Sequence, residues 1–377
     1  MIKYSLISTF TLKTMNNIQY SFKGVQALRG LAALSVMLFH FRWNLNQVQP
    51  PLGDQLFGWG AIGVDLFFLI SGFVITLSAS RTPGGIRGAM SFLKKRAIRI
   101  LPAYYFWLLI TFLLCGAMSI FHYADKKENL ISALLFMPIY PDHAPFFVDD
   151  SGNYGIRWTL NYELYFYLIL GAMITFKARW LWVGLYFLST LVLLPIILTG
   201  SLTLNVSGYV TQSAVLGLII NPMIYLFLVG VLIGLILPYL SNLSSKVMTF
   251  FAGFAFIICV YFFSRGEFTG HGLYSSGWIL ALLMLFVILS ENTIGKFIPR
   301  SLIRLGDISY SLYLVHTLVN NGLVGRFQKL GLQPGWAMFA LSILISLTLA
   351  VISWRCIELP FQKQKNHSTK VSMDSLT

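Results

Sequence analysis

Seven side chains in this sequence are of types that do chemistry and stand where such types are costly: Arg29, His40, Asp65, Arg96, Arg99, Glu163 and His316. All of them fall in or beside strongly apolar runs. His40 follows Arg29 by eleven positions, about 16 Å along a helix axis, so the two mark different depths of one element. A histidine acting as general base needs a carboxylate to orient its ring and stabilise its cation, and Asp65 and Glu163 are the carboxylates available. Arg96 and Arg99 form an R-x-x-R pair ahead of Leu101 and Pro102, and helical spacing puts both on one face. With Arg29 they make a cationic mouth suited to phosphates. Such a set fits a phosphate-bearing carrier, gripped by its head and reaching with a long arm toward His40.

The elements that must position these groups are membrane-spanning helices. Hydrophobic residues are 56% of the 377 and charged residues 11%, and mean hydropathy is +0.73, well outside the range of a soluble domain of this length. A span needs about 20 mostly apolar residues to cross a hydrocarbon core of about 30 Å. Ten stretches qualify: 27–43, 60–79, 100–121, 158–176, 180–199, 221–239, 247–264, 272–290, 304–323 and 336–357. The expectation is an all-α polytopic bundle of about ten transmembrane helices. Its organisation is a cytoplasmic segment 1–26, a transmembrane domain 27–357 and a cytoplasmic tail 358–377. The run 130–140 is too short to span and ends at Pro141, so it reads as interfacial or re-entrant. Residues 1–22 have polar breaks and no cleavage site, unlike a secretory signal peptide.

Placing the N-terminus inside puts 19 of the 27 lysines and arginines in inner segments and seven in outer ones, the bias expected of cytoplasmic loops. The net charge of +14 is therefore topological, in short blocks between apolar runs, and does not imply nucleic acid. In this orientation His40 nears the outer leaflet. Asp65 and Glu163 each lie about five residues below the outer end of their spans, and His316 lies near the same level, so one histidine–carboxylate cluster is expected.

Plainer readings compete. Arg96 and Arg99 serve equally well as positive-inside anchors, and a membrane histidine can bond a neighbouring carbonyl. Asp307 and Glu358 read as helix caps or partners of Arg304 and Arg355. Trp158 fits an interfacial aromatic anchor, and Gly230 with Gly234 a close helix contact. His122, His143, His271 and His367 have no ligand-like spacing, so no metal is expected. Cys115, Cys259 and Cys356 lie in apolar runs and suit packing.

Taken in order, these residues resemble the membrane acyltransferase family 3, bacterial enzymes that decorate O-antigen, exopolysaccharide, Nod factor and related glycans. The likeness covers most of the chain. It runs through Arg29 to His40, through GVDLFFLISGF at 63–73 with Asp65 and Ser71, and through Arg96, Arg99 and Tyr104. It continues in WTLNYELYFY at 158–167, in Asn221-Pro222 with Gly230 and Gly234, in LGDISYSLYLVH at 305–316 with Tyr310 and His316, and in Ile357 to Pro360. Asn161-Tyr162 before Glu163 departs from the Ser-Val of many relatives.

The resemblance implies an acyl-CoA donor, usually acetyl-CoA, taken from the cytoplasm, and an extracytoplasmic glycan acceptor, at the bacterial inner membrane. Carried over, Arg29, Arg96 and Arg99 contact coenzyme A, His40 is catalytic, and Asp65 and Glu163 support it. Ser71, Trp158, Tyr310 and His316 are further candidates for substrate contact. Some relatives carry a fused SGNH-type domain, and this chain reads as a stand-alone member. Whether His40 deprotonates the acceptor directly or carries the acyl group stays open. The principal rival is a transporter or flippase using the buried charges as a proton relay, for which paired broken helices in two related halves are expected; none is evident.

Overall fold

The computed structural model describes residues 22–147, 152–328 and 331–362. The expected N-terminal segment before residue 22 and the tail beyond 362 lie outside the described residues. Every element among the described residues is helical. The principal helices are α1 (Lys23–Phe41), α2 (Gly63–Ser80), α3 (Ile86–Leu114), α4 (Ala124–Leu135), α5 (Asn153–Met173) and α6 (Arg179–Leu188). There follow α7 (Ile224–Leu240), α8 (Ser245–Ser264), α9 (Trp278–Leu289), α10 (Ser309–Thr317) and α11 (Trp336–Ser353). Such long apolar helices form because every backbone polar group must be satisfied within its own segment in lipid.

Among the described residues, seven helical stretches are long and apolar enough to cross a membrane: Lys23–Asn46, Leu52–Ser80, Ile86–Leu114, Arg179–Thr199, Ala214–Leu240, Ser245–Ser264 and Trp336–Gln362. The other three expected spans are helical too, each with a feature that sets it apart. α5 carries Arg157, Asn161 and Glu163 on one 21-residue helix. The stretch Leu273–Leu289 is apolar but short. At 304–323, the short helix Arg300–Asp307 stops, α10 restarts at Ser309 and a π turn follows from Leu318. The run 130–140 expected to be interfacial overlaps the end of α4, a 12-residue helix that stops where Phe136 adopts a left-handed φ of 54°.

The core is set by close backbone approach. α2 and α7 share the most extensive helix pairing, because Gly72 and Gly230 let the two backbones touch. A Cβ on Gly230 would sit 2.1 Å from the Leu69 carbonyl oxygen, and one on Gly72 2.1 Å from that of Phe227. This bears out the close contact read from Gly230 and Gly234 and follows the small-residue logic of membrane interfaces. A second such contact seats the helix Arg300–Asp307 on α1, where a Cβ on Gly306 would meet the Gln26 carbonyl oxygen at 2.1 Å. That approach carries Ser309 to the Arg29 side chain.

Candidate active site

The three arginines converge. Arg29 from α1 and Arg96 and Arg99 from α3 line one internal cavity, together with Ser71 of α2, Glu163 and Tyr167 of α5, and Tyr310 and Tyr313 of α10. Arg29 donates to Ser309 Oγ at 3.0 Å and to Gln26 Oε1 at 3.2 Å. Arg96 donates to Ser78 Oγ at 2.7 Å, and its buried Nε has no partner. None of the three forms an ion pair within 4.0 Å among the described residues, and Glu163 is the carboxylate that lines the cavity with them. Guanidinium groups left in excess over carboxylate in a buried wall have the chemistry that suits an anion.

Arg29 and Arg96 also border a vestibule, which adds Arg81 and Lys95 and, among the described residues, is lined by no Asp or Glu. The two chambers meet at Arg29, Val74 and Arg96. From there the inner cavity follows α2 as far as Val64. The lining thus covers about 15 Å of that helix, ten residues at 1.5 Å each.

The carboxylates do not join His40, and here the expected cluster is corrected. His40 makes no hydrogen bond or ion pair to Asp65 or Glu163 among the described residues. Both Asp65 oxygens are taken elsewhere: Oδ2 by His271 Nδ1 at 2.6 Å and Oδ1 by the Gly272 N–H at 2.6 Å. Glu163 accepts from Ser71 Oγ at 3.2 Å and from the Tyr167 hydroxyl. The two acids lie at different depths because α5 begins at Asn153, five residues before the expected span. Glu163 is thus about 15 Å along its helix. It meets Ser71, six residues deeper on α2 than Asp65.

His40 instead adjoins His316. Their ring centroids are 5.0 Å apart, and His316 is 5.6 Å from the Tyr313 ring. His316 is 1% exposed. Its Nδ1 lies 2.7 Å from the Tyr313 carbonyl oxygen, which can only accept, so Nδ1 carries the hydrogen. Nε2 of the neutral ring then holds a lone pair, and it is buried without a partner. The carbonyl bond foreseen for a membrane histidine is therefore real, and it fixes the tautomer while leaving the other nitrogen open. Tyr313 lines the cavity and its ring packs against His316, which in turn adjoins His40; neither histidine is among the residues that line the cavity.

A family model described as an acyltransferase domain matches residues 22–355, most of the chain and every side chain just described. The chain belongs to the acyltransferase family 3. It is an enzyme that transfers acyl groups, built as a multi-pass membrane protein. Similar proteins include "Nodulation protein 10" of Rhizobium leguminosarum bv. viciae, 27% identical over 89% of this acyltransferase and 92% of the relative. The exopolysaccharide production protein ExoZ of Rhizobium meliloti is 28% identical over 81% of this chain and 90% of its own. "Putative O-acetyltransferase SACOL0978" of Staphylococcus aureus is 26% identical over 90% of this chain and 57% of that protein. No solved structure matches the acyltransferase.

Other single-residue readings change. Trp158 is 8% exposed and surrounded by Phe68, Phe147, Tyr162 and His271, so it is an interior residue of the acyltransferase and no lipid-facing anchor. Asp307 accepts from Gln26 Nε2 at 2.6 Å and Glu358 from Ser311 Oγ, and no ion pair joins either to Arg304 or Arg355 among the described residues. Tyr310 donates to the Ile100 carbonyl at 3.0 Å, which ties α10 to α3 beside Arg99. His271 and Tyr313 are the residues that sequence reasoning missed. His271 lies 206 positions from its partner, and no local pattern marks it.

Proposed function

We propose that the protein is a membrane O-acyltransferase, in particular an O-acetyltransferase, that moves the acyl group of cytoplasmic acyl-CoA onto a hydroxyl of an extracytoplasmic glycan. The cavity carries this reading: guanidinium groups line it, its wall covers about 15 Å of α2, and Tyr313 in that wall packs against His316. Phosphates of the donor bind at Arg29, Arg96 and Arg99, with Arg81 and Lys95 at the vestibule. The pantetheine arm threads between Ser71 and Tyr310 and delivers the thioester to Tyr313 and the histidines. The orientation is N-terminus inside, both termini cytoplasmic, in ten passes of the bacterial inner membrane. A relative named for exopolysaccharide production supports a carbohydrate acceptor.

In the reaction the acceptor hydroxyl oxygen attacks the thioester carbonyl carbon and the carbon–sulfur bond breaks. The hydroxyl proton passes to a neutral imidazole nitrogen of His40 and then to the departing thiolate, releasing coenzyme A as the thiol. His316 holds a second lone pair beside His40, available to take that proton in transit. Glu163 keeps the arginine-lined section from being wholly cationic. Asp65 acts at a distance, through His271.

The test is purified protein in liposomes with acetyl-CoA labelled in the acetyl group and a de-O-acetylated bacterial surface glycan. Covalent label on the glycan is the expected result. Label that crosses the bilayer without joining the glycan would mark a transporter instead.

A further inference from the structure

Around Asp65 and His271 the molecule contains a built site to which the reaction scheme assigns no ligand. Asp65, in the first turn of α2, is 0% exposed, and both its oxygens hold the segment between α8 and α9. One grip is the Gly272 N–H, presented by a backbone at φ 96°, where a Cβ would also strike Val206 Cγ1 at 2.5 Å; glycine alone suits the position. The other is His271 Nδ1. A carboxylate only accepts, so His271 donates through Nδ1 and turns Nε2 away from Asp65. Nε2 has no hydrogen-bond partner among the described residues, and the His271 side chain is 16% exposed.

Two aromatic rings flank this imidazole. Trp158 stands edge-on to it at 5.8 Å and Phe147 lies at 6.1 Å, and the two meet each other at 4.7 Å and 85°. Phe147 is 40% exposed, an apolar face turned outward beside a polar nitrogen. Trp158 precedes Thr159, a wall residue of the central cavity bonded to the Tyr313 hydroxyl at 2.7 Å. Trp158 also touches Phe68 of the same wall.

An exposed aromatic face next to an oriented hydrogen-bonding nitrogen matches a pyranose ring, which has an apolar C–H face and a rim of hydroxyls. We infer that Phe147, His271 and Trp158 form the acceptor subsite, which binds a sugar ring of the glycan with Phe147 against its C–H face and His271 Nε2 on a hydroxyl. Asp65 is the positioning residue that fixes which nitrogen faces the sugar. This rests on the proposed glycan acceptor and names the residues that bind it.

The experiment measures transfer from labelled acetyl-CoA to oligosaccharides of the host's own surface glycan, released and de-O-acetylated, with each substrate varied in turn. His271→Asn keeps an N–H for Asp65 and removes the outward nitrogen; Phe147→Ala removes the exposed face. Each is expected to raise the acceptor KM about tenfold, the loss of one hydrogen bond or one stacking face. The KM for acetyl-CoA stays unchanged, and Phe147→Tyr restores the acceptor KM. Acceptor KM within twofold of wild type in both variants, with wild type active, would overturn the subsite and leave the enzyme's function standing. Wild-type protein that labels no oligosaccharide would overturn both. A variant that loses its acetyl-CoA KM as well indicates general damage and counts against the subsite.

Discussion

The imidazoles of His40 and His316 lie 5.0 Å apart, ring centre to ring centre, although the two residues are 276 positions apart in the chain. The hydrogen bond from His316 to the Tyr313 carbonyl leaves His316 Nε2 as a buried lone pair. Under the proposed mechanism these two neighbouring bases act as a unit.

Replacing either histidine with alanine is expected to lower kcat by about a hundredfold or more, the usual worth of a positioned acid–base group. Because groups that act together are not additive, the double variant should cost little more than the worse single one. The protein should still reach the membrane and bind acetyl-CoA as wild type does. Near-normal kcat in His316→Ala would reduce that residue to a structural role.

Arg96→Gln and Arg99→Gln should weaken acetyl-CoA binding by about ten- to a hundredfold, the worth of a charge-assisted hydrogen bond. Equilibrium binding to purified protein in detergent checks this. The free-thiol pantetheine fragment, which lacks the nucleotide phosphates, should bind the variants and wild type alike. Unchanged donor affinity would make the pair ordinary positive-inside anchors.

Gly230→Ala forces a methyl against the Leu69 carbonyl oxygen, with no flexible side chain to yield. Overpacking of this kind costs about 1–3 kcal/mol, so a lowered melting temperature in detergent is expected. Gly253→Ala, where nothing lies within 4 Å of the added Cβ, should leave it unchanged. Equal melting temperatures for both variants would contradict the backbone contact between α2 and α7.

His271 lies outside the spans, and its titration is tied to Asp65. Burial alone would lower its pKa, but the Asp65 charge and hydrogen bond together outweigh burial and hold it above the ordinary 6.5. The other charged groups of that segment, Arg265 and Glu267, pair with each other at 2.9 Å. The stabilisation is therefore complete below the unfolded value and is lost as pH rises through the raised folded one. The melting-temperature advantage of wild type over His271→Phe should be largest near pH 6 and shrink at alkaline pH. An advantage that grew with pH would reverse the sign argued here.

Much of this architecture was legible in the residues. Apolar runs located the spanning helices, and the small residues Gly230 and Gly234 located their most extensive pairing. The convergence of Arg29, Arg96 and Arg99 was legible because charge within apolar helices must find a shared polar interior. The depth of Glu163 was not. The first turns of α5 hold Asn153 and Arg157, which hydropathy reads as loop, yet both are fully buried and bonded, Asn153 to the Tyr104 carbonyl and Arg157 to Ser132. That hidden helical start pushed the acid inward and away from His40. The partnership of Asp65 with His271 was equally hidden, since it depends on a loop whose fold is set by tertiary contact alone.

The most direct test of the central claim is sided transfer in sealed proteoliposomes of known protein orientation. Labelled acetyl-CoA is confined to the face bearing the arginine vestibule, and the glycan to the opposite face. Glycan labelled only in that arrangement, and unlabelled when the donor is moved across, is the predicted result. Glycan labelled only when it shares a face with the donor would contradict a passage that carries the acyl group across the membrane.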